Sequence, residues 1–253
     1  NAVITFAGTA YGIEARVVPR GGFALDMIRS GGLKGKSAAD RLRGVGLVPV
    51  SLADASRVVT LRRPALVIGV GGYSSGPVVL VAALRGVPTM LLEQNAVPGL
   101  TNRLLARFVR AASVTFESTK GFFGSKAFVS GNPVRPEFFR QEREASTNEH
   151  ASSFGVLVFG GSQGAHAINV AMVEAAAELA AGDVRMRLTH QTGERDVEMV
   201  RAAYRSAGLQ AEVEPFFYDM ARRISEADLI VCRAGATTLA EVTAAGKPAI
   251  LIP

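Results

Sequence analysis

Short apolar runs alternate with segments of helical length along the 253 residues of this chain. The runs are apolar on both faces, which is typical of buried parallel strands. Strands and helices in alternation predict doubly wound α/β sheets. The predicted strands are Ala2–Ala7, Ala65–Val70, Thr89–Leu92, Ser113–Phe116, Lys126–Val129, Gly155–Phe159, Arg185–His190, Ala211–Glu214, Leu229–Val231 and Ala249–Ile252. The predicted helices are Gly76–Leu84, Leu100–Val109, Ala165–Ala181, Glu194–Ala207, Asp219–Glu226 and Thr237–Ala245.

One polar stretch, Gln141–Ser153, interrupts this alternation and follows two prolines. It lacks apolar periodicity, which indicates an interdomain linker. We therefore predict a first domain over residues 1–132, a linker over 133–153 and a second domain over 154–253. Two such domains would face each other across a cleft, and ligands of these sheets bind beyond the carboxyl ends of the strands.

Charge differs between the two halves. Residues 1–130 carry 16 Lys and Arg against 6 Asp and Glu, whereas residues 131–253 carry 12 against 16. A basic half suits nucleic acid, anionic lipid or a phosphorylated substrate. The single cysteine, Cys232, excludes an intramolecular disulfide. No apolar run approaches the roughly 18 residues of a membrane span.

Three glycine-containing turns follow predicted strands and open predicted helices: Gly71–Gly76, Gly160–Ala165 and Arg233–Thr238. Glycine allows a ligand to approach the backbone, and the following helix offers unpaired N–H groups to an anion. Each turn could instead need glycine for steric reasons alone. Neither GGYSSG nor GGSQGA has the G-x-G-x-x-G spacing of dinucleotide-binding enzymes.

Several polar residues near these turns are candidates for ligand contacts. Ser162 offers a hydroxyl to a phosphate, Arg135 a guanidinium, and Glu241 a carboxylate for ribose hydroxyls. Glu93 ends a predicted strand. His190 is either a buried, satisfied histidine or a ligand contact, and His166 should be exposed. Three dispersed histidines and one cysteine predict no metal site.

Together these motifs resemble those of the MurG family, the UDP-N-acetylglucosamine:lipid I N-acetylglucosaminyltransferases of peptidoglycan synthesis. The resemblance is colinear over nearly the whole chain. It rests on Gly71–Pro77 (GGYSSGP), Glu93–Asn102 (EQNAVPGLTN), Gly131–Arg135 (GNPVR), Gly160–Asn169 (GGSQGAHAIN), His190–Gly193 (HQTG) and Cys232–Glu241 (CRAGATTLAE).

The resemblance implies a GT-B fold whose second domain binds UDP-N-acetylglucosamine (UDP-GlcNAc). In that donor site, Phe217 takes the position whose backbone contacts uracil, and Glu241 contacts the ribose. The implied donor-site residues are Asn95, Arg135, Ser162, Gln163, Gly164, Phe217, Ala236, Thr237, Thr238, Leu239, Ala240 and Glu241. Motif positions of less defined role are Gly71, Gly72, Tyr73, Asn102, Asn169 and Arg233.

The implied reaction is inverting transfer of N-acetylglucosamine to the C4 hydroxyl of lipid I, undecaprenyl-pyrophosphoryl-MurNAc-pentapeptide. It requires no metal and no cofactor, and it needs a general base. Glu93 is one candidate for this base. A histidine in the family's first glycine-rich loop, which we expect to precede residue 1, is another. We likewise expect the family's glutamine-containing donor segment to follow Pro253, which leaves open whether this piece is active alone.

The resemblance places the enzyme peripherally on the cytoplasmic side of the plasma membrane. Basic residues around an apolar patch (Leu47, Val48, Val50 and Leu52) would suit an anionic membrane surface. These basic residues are Arg41, Arg43, Arg57, Arg62 and Arg63. We expect Pro49 to prevent a simple amphipathic helix there, and an ordinary buried segment is the alternative.

Two other functions stay open. One is a different UDP-sugar enzyme of the same fold, such as a UDP-GlcNAc 2-epimerase or a glycolipid glycosyltransferase. The other is a non-catalytic nucleotide-binding protein or a nucleic-acid binder. We expect no nucleic-acid partner, because no aromatic-rich stacking surface is evident.

Overall fold

A computed structural model describes residues 2–12, 14–31, 46–139, 153–161 and 164–253. In it, the chain folds into parallel β-sheets connected by helices. All strand pairs within these ranges are parallel. The chain divides into two compact units, Asn1–Gly131 and Asn132–Pro253. The predicted α/β class is confirmed.

The described residues of the first unit form two sheets. One pairs β1 (Thr5–Gly8) with β2 (Ala24–Met27), and the other has the order β3-β4-β5-β6. Because these four strands are parallel and follow chain order, their carboxyl ends lie along one edge. They are β3 (Val67–Gly69), β4 (Thr89–Glu93), β5 (Ala111–Val114) and β6 (Ala127–Val129). The helices are α1 (Glu14–Arg20), α2 (Val48–Arg62), α3 (Ser75–Leu84) and α4 (Leu100–Leu105), and Glu117–Phe122 and Gly124–Lys126 form 3-10 turns.

Helix α2 corrects the expectation at Pro49. The proline lies in the first helical turn, where its missing N–H would have no intrahelical acceptor in any case. Ser51, Ala55 and Val59 are buried on one face at helical spacing. That face packs in a cluster with Val78 and Ala82 of α3, so the segment is an ordinary amphipathic helix.

The second unit contains one five-stranded sheet of order β11-β10-β7-β8-β9. Taken from β9, the order is 3-2-1-4-5, so the winding direction reverses between β7 and β10, where ligands of such sheets bind. Its strands are β7 (Phe154–Phe159), β8 (Met186–Gln191), β9 (Gln210–Glu214), β10 (Leu229–Arg233) and β11 (Ala249–Ile252). Its helices are α5 (His166–Glu174), α6 (Ala176–Ala181), α7 (Val197–Ser206), α8 (Met220–Glu226) and α9 (Ala236–Ala244), with a 3-10 turn at Pro136–Phe138.

Strand β7 is buried on both faces, as its unbroken apolar run predicts. Val156 and Val158 enter a cluster with Ile168 of α5. The alternate residues Leu157 and Phe159 enter a second cluster, which includes Ile224 of α8, Val242 of α9 and the fully buried Cys232. Since successive strand side chains point to opposite faces, one apolar strand supports helices on both sides of the sheet.

All ten predicted strands are present: Ala249–Ile252 has the predicted bounds, and the others are shifted by one to three residues at one or both ends. Helix α4 is shorter than predicted, and Ala175 separates α5 from α6. The sequence interpretation missed α1 and β2, and it did not expect α2. The described part of the predicted linker packs on the second unit, where Phe138 is buried in the core cluster of β7 and α8.

Candidate functional site

The turn after β7 packs closely against the end of β8. A Cβ atom at Gly164 would lie 1.8 Å from the carbonyl oxygen of Thr192, and the residue has a φ of +74°. A Cβ atom at Gly160 would lie 2.3 Å from that of Ala165. Steric need therefore accounts for both glycines. Ser162 and Gln163, the predicted phosphate contacts, lie outside the described residues.

A buried amide joins this turn to the neighbouring one. Gln191, which ends β8 and is 2% exposed, donates from Nε2 to the carbonyl oxygen of Gly161 at 2.9 Å. Its Oε1 accepts the backbone N–H of Phe217 at 2.7 Å. The predicted uracil contact at Phe217 therefore has its N–H occupied, which leaves its carbonyl oxygen for a base. The ring of Phe217 is buried, with the Arg223 guanidinium 4.3 Å from its centroid.

A polar network lies beneath the turn, built on Asn169 of α5. Its Nδ2 donates to the Thr192 carbonyl oxygen at 2.9 Å and to Asp196 Oδ2 at 2.8 Å, and its Oδ1 lies 3.1 Å from His190 Nε2. This arrangement makes Nε2 the protonated nitrogen of His190, since Asn169 Oδ1 can only accept. Nδ1 then accepts the hydroxyl of Tyr204 at 2.8 Å.

The network also determines how its members titrate. Burial lowers the pKa of His190 to about 4, so the imidazole is neutral near pH 7. The Asn169 amide, followed by His166, lowers the pKa of Asp196. His166 begins α5 and is exposed, as expected, with Nδ1 2.9 Å from Asp196 Oδ2. Of the two alternatives for His190, the structure favours the buried, satisfied histidine.

The turn after β10 leads into α9, which begins at Ala236. The first N–H groups of a helix have no intrahelical acceptor and carry partial positive charge. This end lies at the strand-order reversal, where the sheet topology favours ligand binding. Two of the candidates here, Arg233 and Thr237, are exposed. The half-buried candidates are Ala236, Thr238, Leu239, Ala240 and Glu241.

Arg135 and Glu241, 106 positions apart in the sequence, lie side by side in the second unit. Arg135 Nη2 is 3.8 Å from Glu241 Oε1, and Nη1 is 3.0 Å from Glu137 Oε1. The Arg135 side chain is 63% exposed and stacks 4.7 Å over the centroid of Phe138. Burial raises the pKa of Glu241, and Arg135 partly opposes this shift. The Glu241 carboxylate and the guanidinium of the long Arg135 side chain thus lie together beside the N-terminus of α9.

The first unit holds the remaining candidates around Glu93, at the carboxyl end of β4. Glu93 is 3% exposed, and four N–H donors surround its carboxylate. Oε1 accepts from the backbone and side chain of Asn95 at 3.0 and 3.1 Å. Oε2 accepts from the Gly99 backbone at 3.1 Å and from Asn102 Nδ2 at 2.9 Å. This geometry organises a loop and disfavours Glu93 as the general base.

The GGYSSG turn follows β3 and precedes α3 in the same unit. Gly71 and Gly72 have φ values of +88° and +82°, which only glycine adopts without strain. Tyr73 is exposed. Asn102 lies close to this turn, since a Cβ atom at Gly71 would be 3.7 Å from its Nδ2. Asn102 Oδ1 is buried and has no hydrogen-bond partner among the described residues.

The predicted membrane patch is partly neutralised. Arg62 forms a two-point ion pair with Asp26, at 2.9 Å for each contact. Arg57 and Arg63 are exposed on α2 and at its end. Arg41 and Arg43 lie outside the described residues. Within the described ranges, no helix is both long and apolar enough to cross a bilayer.

Two family models match the chain. The glycosyltransferase family 28 N-terminal domain matches residues 1–114, and the C-terminal domain of the same family matches residues 155–253. A relative from Pelobacter propionicus is 47% identical over 99% of this chain. It is named UDP-N-acetylglucosamine--N-acetylmuramyl-(pentapeptide) pyrophosphoryl-undecaprenol N-acetylglucosamine transferase. The chain belongs to the MurG family.

Other relatives agree with this assignment. A transferase of the same name from Anaeromyxobacter is 47% identical over 99% of the chain. The chain spans 71% of the Pelobacter protein and 65% of the Anaeromyxobacter protein. The crystal structure of Acinetobacter baumannii MurG superposes with a TM-score of 0.70 at 32% identity, over 98% of this chain and 68% of that one.

A more distant structure shows how widely the fold is used. UDP-GlcNAc 2-epimerase from Neisseria meningitidis, bound to UDP-GlcNAc, has a TM-score of 0.61 at 13% identity, over 97% of this chain and 72% of that one. Similarity at this level shows the fold alone. The MurG-family assignment therefore rests on the closer sequences, and the expected GT-B fold is confirmed.

Proposed function

We propose that this chain transfers N-acetylglucosamine from UDP-GlcNAc to lipid I, forming the β-linked disaccharide of lipid II. The observation that carries the proposal is 45–47% identity, over 99% of the chain, to proteins named for this reaction. The second unit supports it locally, because an arginine, a half-buried carboxylate and a helix N-terminus lie together at the strand-order reversal. The reaction as proposed uses no cofactor.

Donor binding follows from these groups. The N-terminal N–H groups of α9 and the turn after β7 stabilise the diphosphate, together with Ser162, Gln163 and Gly164. Glu241 accepts hydrogen bonds from the ribose hydroxyls. The Phe217 carbonyl oxygen accepts the N3–H of uracil, because the Phe217 N–H is already used by Gln191.

Departure of UDP places negative charge on its β-phosphate, and stabilising that charge is the main task of the second unit. Arg135 is exposed, pairs with the exposed Glu137 at 3.0 Å and is only loosely paired with Glu241 at 3.8 Å. It can therefore turn from the carboxylate to the phosphate and form a charge-assisted hydrogen bond. Each such contact is worth about 1–4 kcal/mol in the transition state.

The acceptor sugar hydroxyl attacks the anomeric carbon as the bond from that carbon to UDP breaks, and a general base takes the hydroxyl proton. We assign Glu93 the role of holding the Asn95–Asn102 loop, since both of its oxygens already accept two N–H donors. Asn95 is exposed on that loop and is the member of this cluster that we propose contacts the substrate.

Calorimetric titration with UDP-GlcNAc tests the donor site. We expect measurable binding to the wild type and at least tenfold weaker binding to Glu241→Ala, because the ribose hydroxyls lose their acceptor. Glu178→Ala, an exposed glutamate on α6, is the matched control and should bind as wild type does. A folded wild-type chain that does not bind UDP-GlcNAc would contradict the proposal.

A product assay separates transfer from the alternative chemistry of the same fold. With UDP-GlcNAc and lipid I, we expect UDP and lipid II to appear in equal amounts. With UDP-GlcNAc alone, we expect no change of configuration at C2. Formation of the 2-epimer would instead support an epimerase.

We also propose peripheral attachment to an anionic, cytoplasmic membrane face, where a polyprenyl acceptor would reside. The exposed Arg57 and Arg63 would contribute about 1 kcal/mol each near anionic lipid. Because the two contributions add to about 2 kcal/mol, vesicle co-sedimentation should show about 30-fold weaker binding for the Arg57→Ala, Arg63→Ala double variant. Arg205→Ala, an exposed change in the second unit, is the control. Equal binding to neutral and anionic vesicles would count against this attachment.

A further inference from the structure

The buried side chain of Gln191 lies between two turns that approach different parts of the proposed donor. One turn follows β7 and carries Gly161, and the other follows β9 and carries Phe217. Strand β8 lies between β7 and β9 in the sheet, so its last residue is placed where a single side chain can contact both turns.

The two ends of this amide are used differently. Nε2 donates to the Gly161 carbonyl oxygen at 2.9 Å, and Oε1 accepts the Phe217 N–H at 2.7 Å. A glutamine amide offers a donor and an acceptor at the same end of one neutral side chain. The Gly161 carbonyl oxygen also accepts the N–H of Gly164 at 3.1 Å, so the contact reaches the tightest point of the glycine turn.

We infer that Gln191 is a positioning residue that couples the phosphate-binding turn to the base-binding turn. This inference rests on the proposed function of the second unit. With the amide in place, both turns are held in register before the donor arrives, so uracil and diphosphate bind as one ligand. Without it, each turn orders separately, and part of the binding free energy is lost to that ordering.

The test compares two ligands on the full chain: uridine, which reaches only the base-binding turn, and UDP, which reaches both. Gln191→Met keeps the length of the side chain and removes both hydrogen bonds. We expect the ratio of the uridine Kd to the UDP Kd to fall about tenfold in this variant. A purely structural role would weaken both ligands by a similar factor and leave the ratio unchanged.

A second variant separates the two contacts. Gln191→Glu retains an acceptor for the Phe217 N–H and removes the donor to Gly161. We expect uridine affinity within about twofold of wild type and a loss confined to UDP. If Gln191→Glu weakens the binding of uridine as much as the binding of UDP, the separate roles assigned to the two hydrogen bonds are overturned.

Leu188→Ala is the matched control, since Leu188 is fully buried in the same strand and belongs to the hydrophobic core. It should lower the thermal midpoint without changing the Kd ratio. If the wild type binds UDP and Gln191→Met leaves the ratio of the uridine Kd to the UDP Kd unchanged, only the positioning role of Gln191 is overturned. Absence of UDP binding to the wild type would overturn the donor proposal, and the coupling with it.

Discussion

The Glu93 cluster of the first unit and the Asn169–Gln191 network of the second solve the same problem by different means. Both hold a polar loop at the carboxyl edge of a parallel sheet. Glu93 gathers N–H donors from residues two to nine positions later in the chain. Asn169 and Gln191 reach partners 21 to 30 positions away.

The difference separates self-contained loops from loops that depend on the whole sheet. A charged carboxylate with four local donors can organise its own loop. Neutral amides that join distant strands and turns work only when the sheet around them is assembled. We therefore expect damage to the Glu93 cluster to stay local, and damage to the second network to spread between turns.

Gly164→Ala should have the largest effect, because it breaks the second network at its closest contact. The new Cβ atom would meet the Thr192 carbonyl oxygen at 1.8 Å, and φ is +74°. Backbone strain and overpacking together predict a loss of about 4 kcal/mol in the free energy of unfolding. Urea denaturation followed by circular dichroism measures the loss.

Gly208→Ala is the control for this change, since its φ is +73° and nothing lies within 4 Å of the added Cβ atom. It isolates the cost of the left-handed backbone, about 1–2 kcal/mol. Equal losses in the two variants would show that contact with Thr192 adds nothing.

Glu93→Gln should have the next largest effect. The substitution replaces one acceptor oxygen by an NH2 group that faces N–H donors, so two donors lose their acceptor. We expect a loss of about 3 kcal/mol. Hydrogen exchange should accelerate mainly at residues 93–102, in keeping with a local cluster.

Glu117→Gln provides the comparison for Glu93. Glu117 is 76% exposed and pairs with Lys120, so its loss should cost less than about 1 kcal/mol. If Glu93→Gln keeps wild-type stability but abolishes transfer, the loop-organising role is wrong and the general-base hypothesis returns.

The pH dependence of stability tests the network of the second unit through its buried histidine, His190. Burial lowers the pKa of folded His190 to about 4 from an ordinary 6.5, so between these values the unfolded chain binds a proton that the folded chain does not. The free energy of unfolding is therefore fully retained above pH 6.5 and falls as the pH drops towards 4, by up to about 3 kcal/mol. His190→Gln should flatten this slope, whereas His166→Gln should keep it. A wild-type slope as flat as that of His190→Gln would argue against the buried neutral histidine.

Sequence reasoning predicted the strands well because buried parallel strands are unbroken apolar runs. It missed α1 and β2, whose runs are short and largely exposed, and it gave Pro49 too much weight as a helix breaker. Periodicity alone does not tell whether a proline falls in the first turn or the interior of a helix.

In the candidate site, too, some features can be predicted from the linear sequence and others depend on the fold. The glycine turns and Glu241 are motifs that can be seen in a linear sequence. The pairing of Arg135 with Glu241 and the bridge made by Gln191 depend on strand order, which brings distant residues together. Gln191 ends β8 within the HQTG motif, and a polar side chain at the end of a strand is its one local signal.

The burial of Cys232 gives the second unit an intrinsic thiol probe of local opening. It is the only cysteine in the chain, its side chain is fully buried at the end of β10, and burial raises the pKa of its thiol. A thiol reagent can react with it only when this part of the sheet opens. The rate of labelling under native conditions therefore reports how often the second unit opens, without an introduced probe and without a contribution from the first unit.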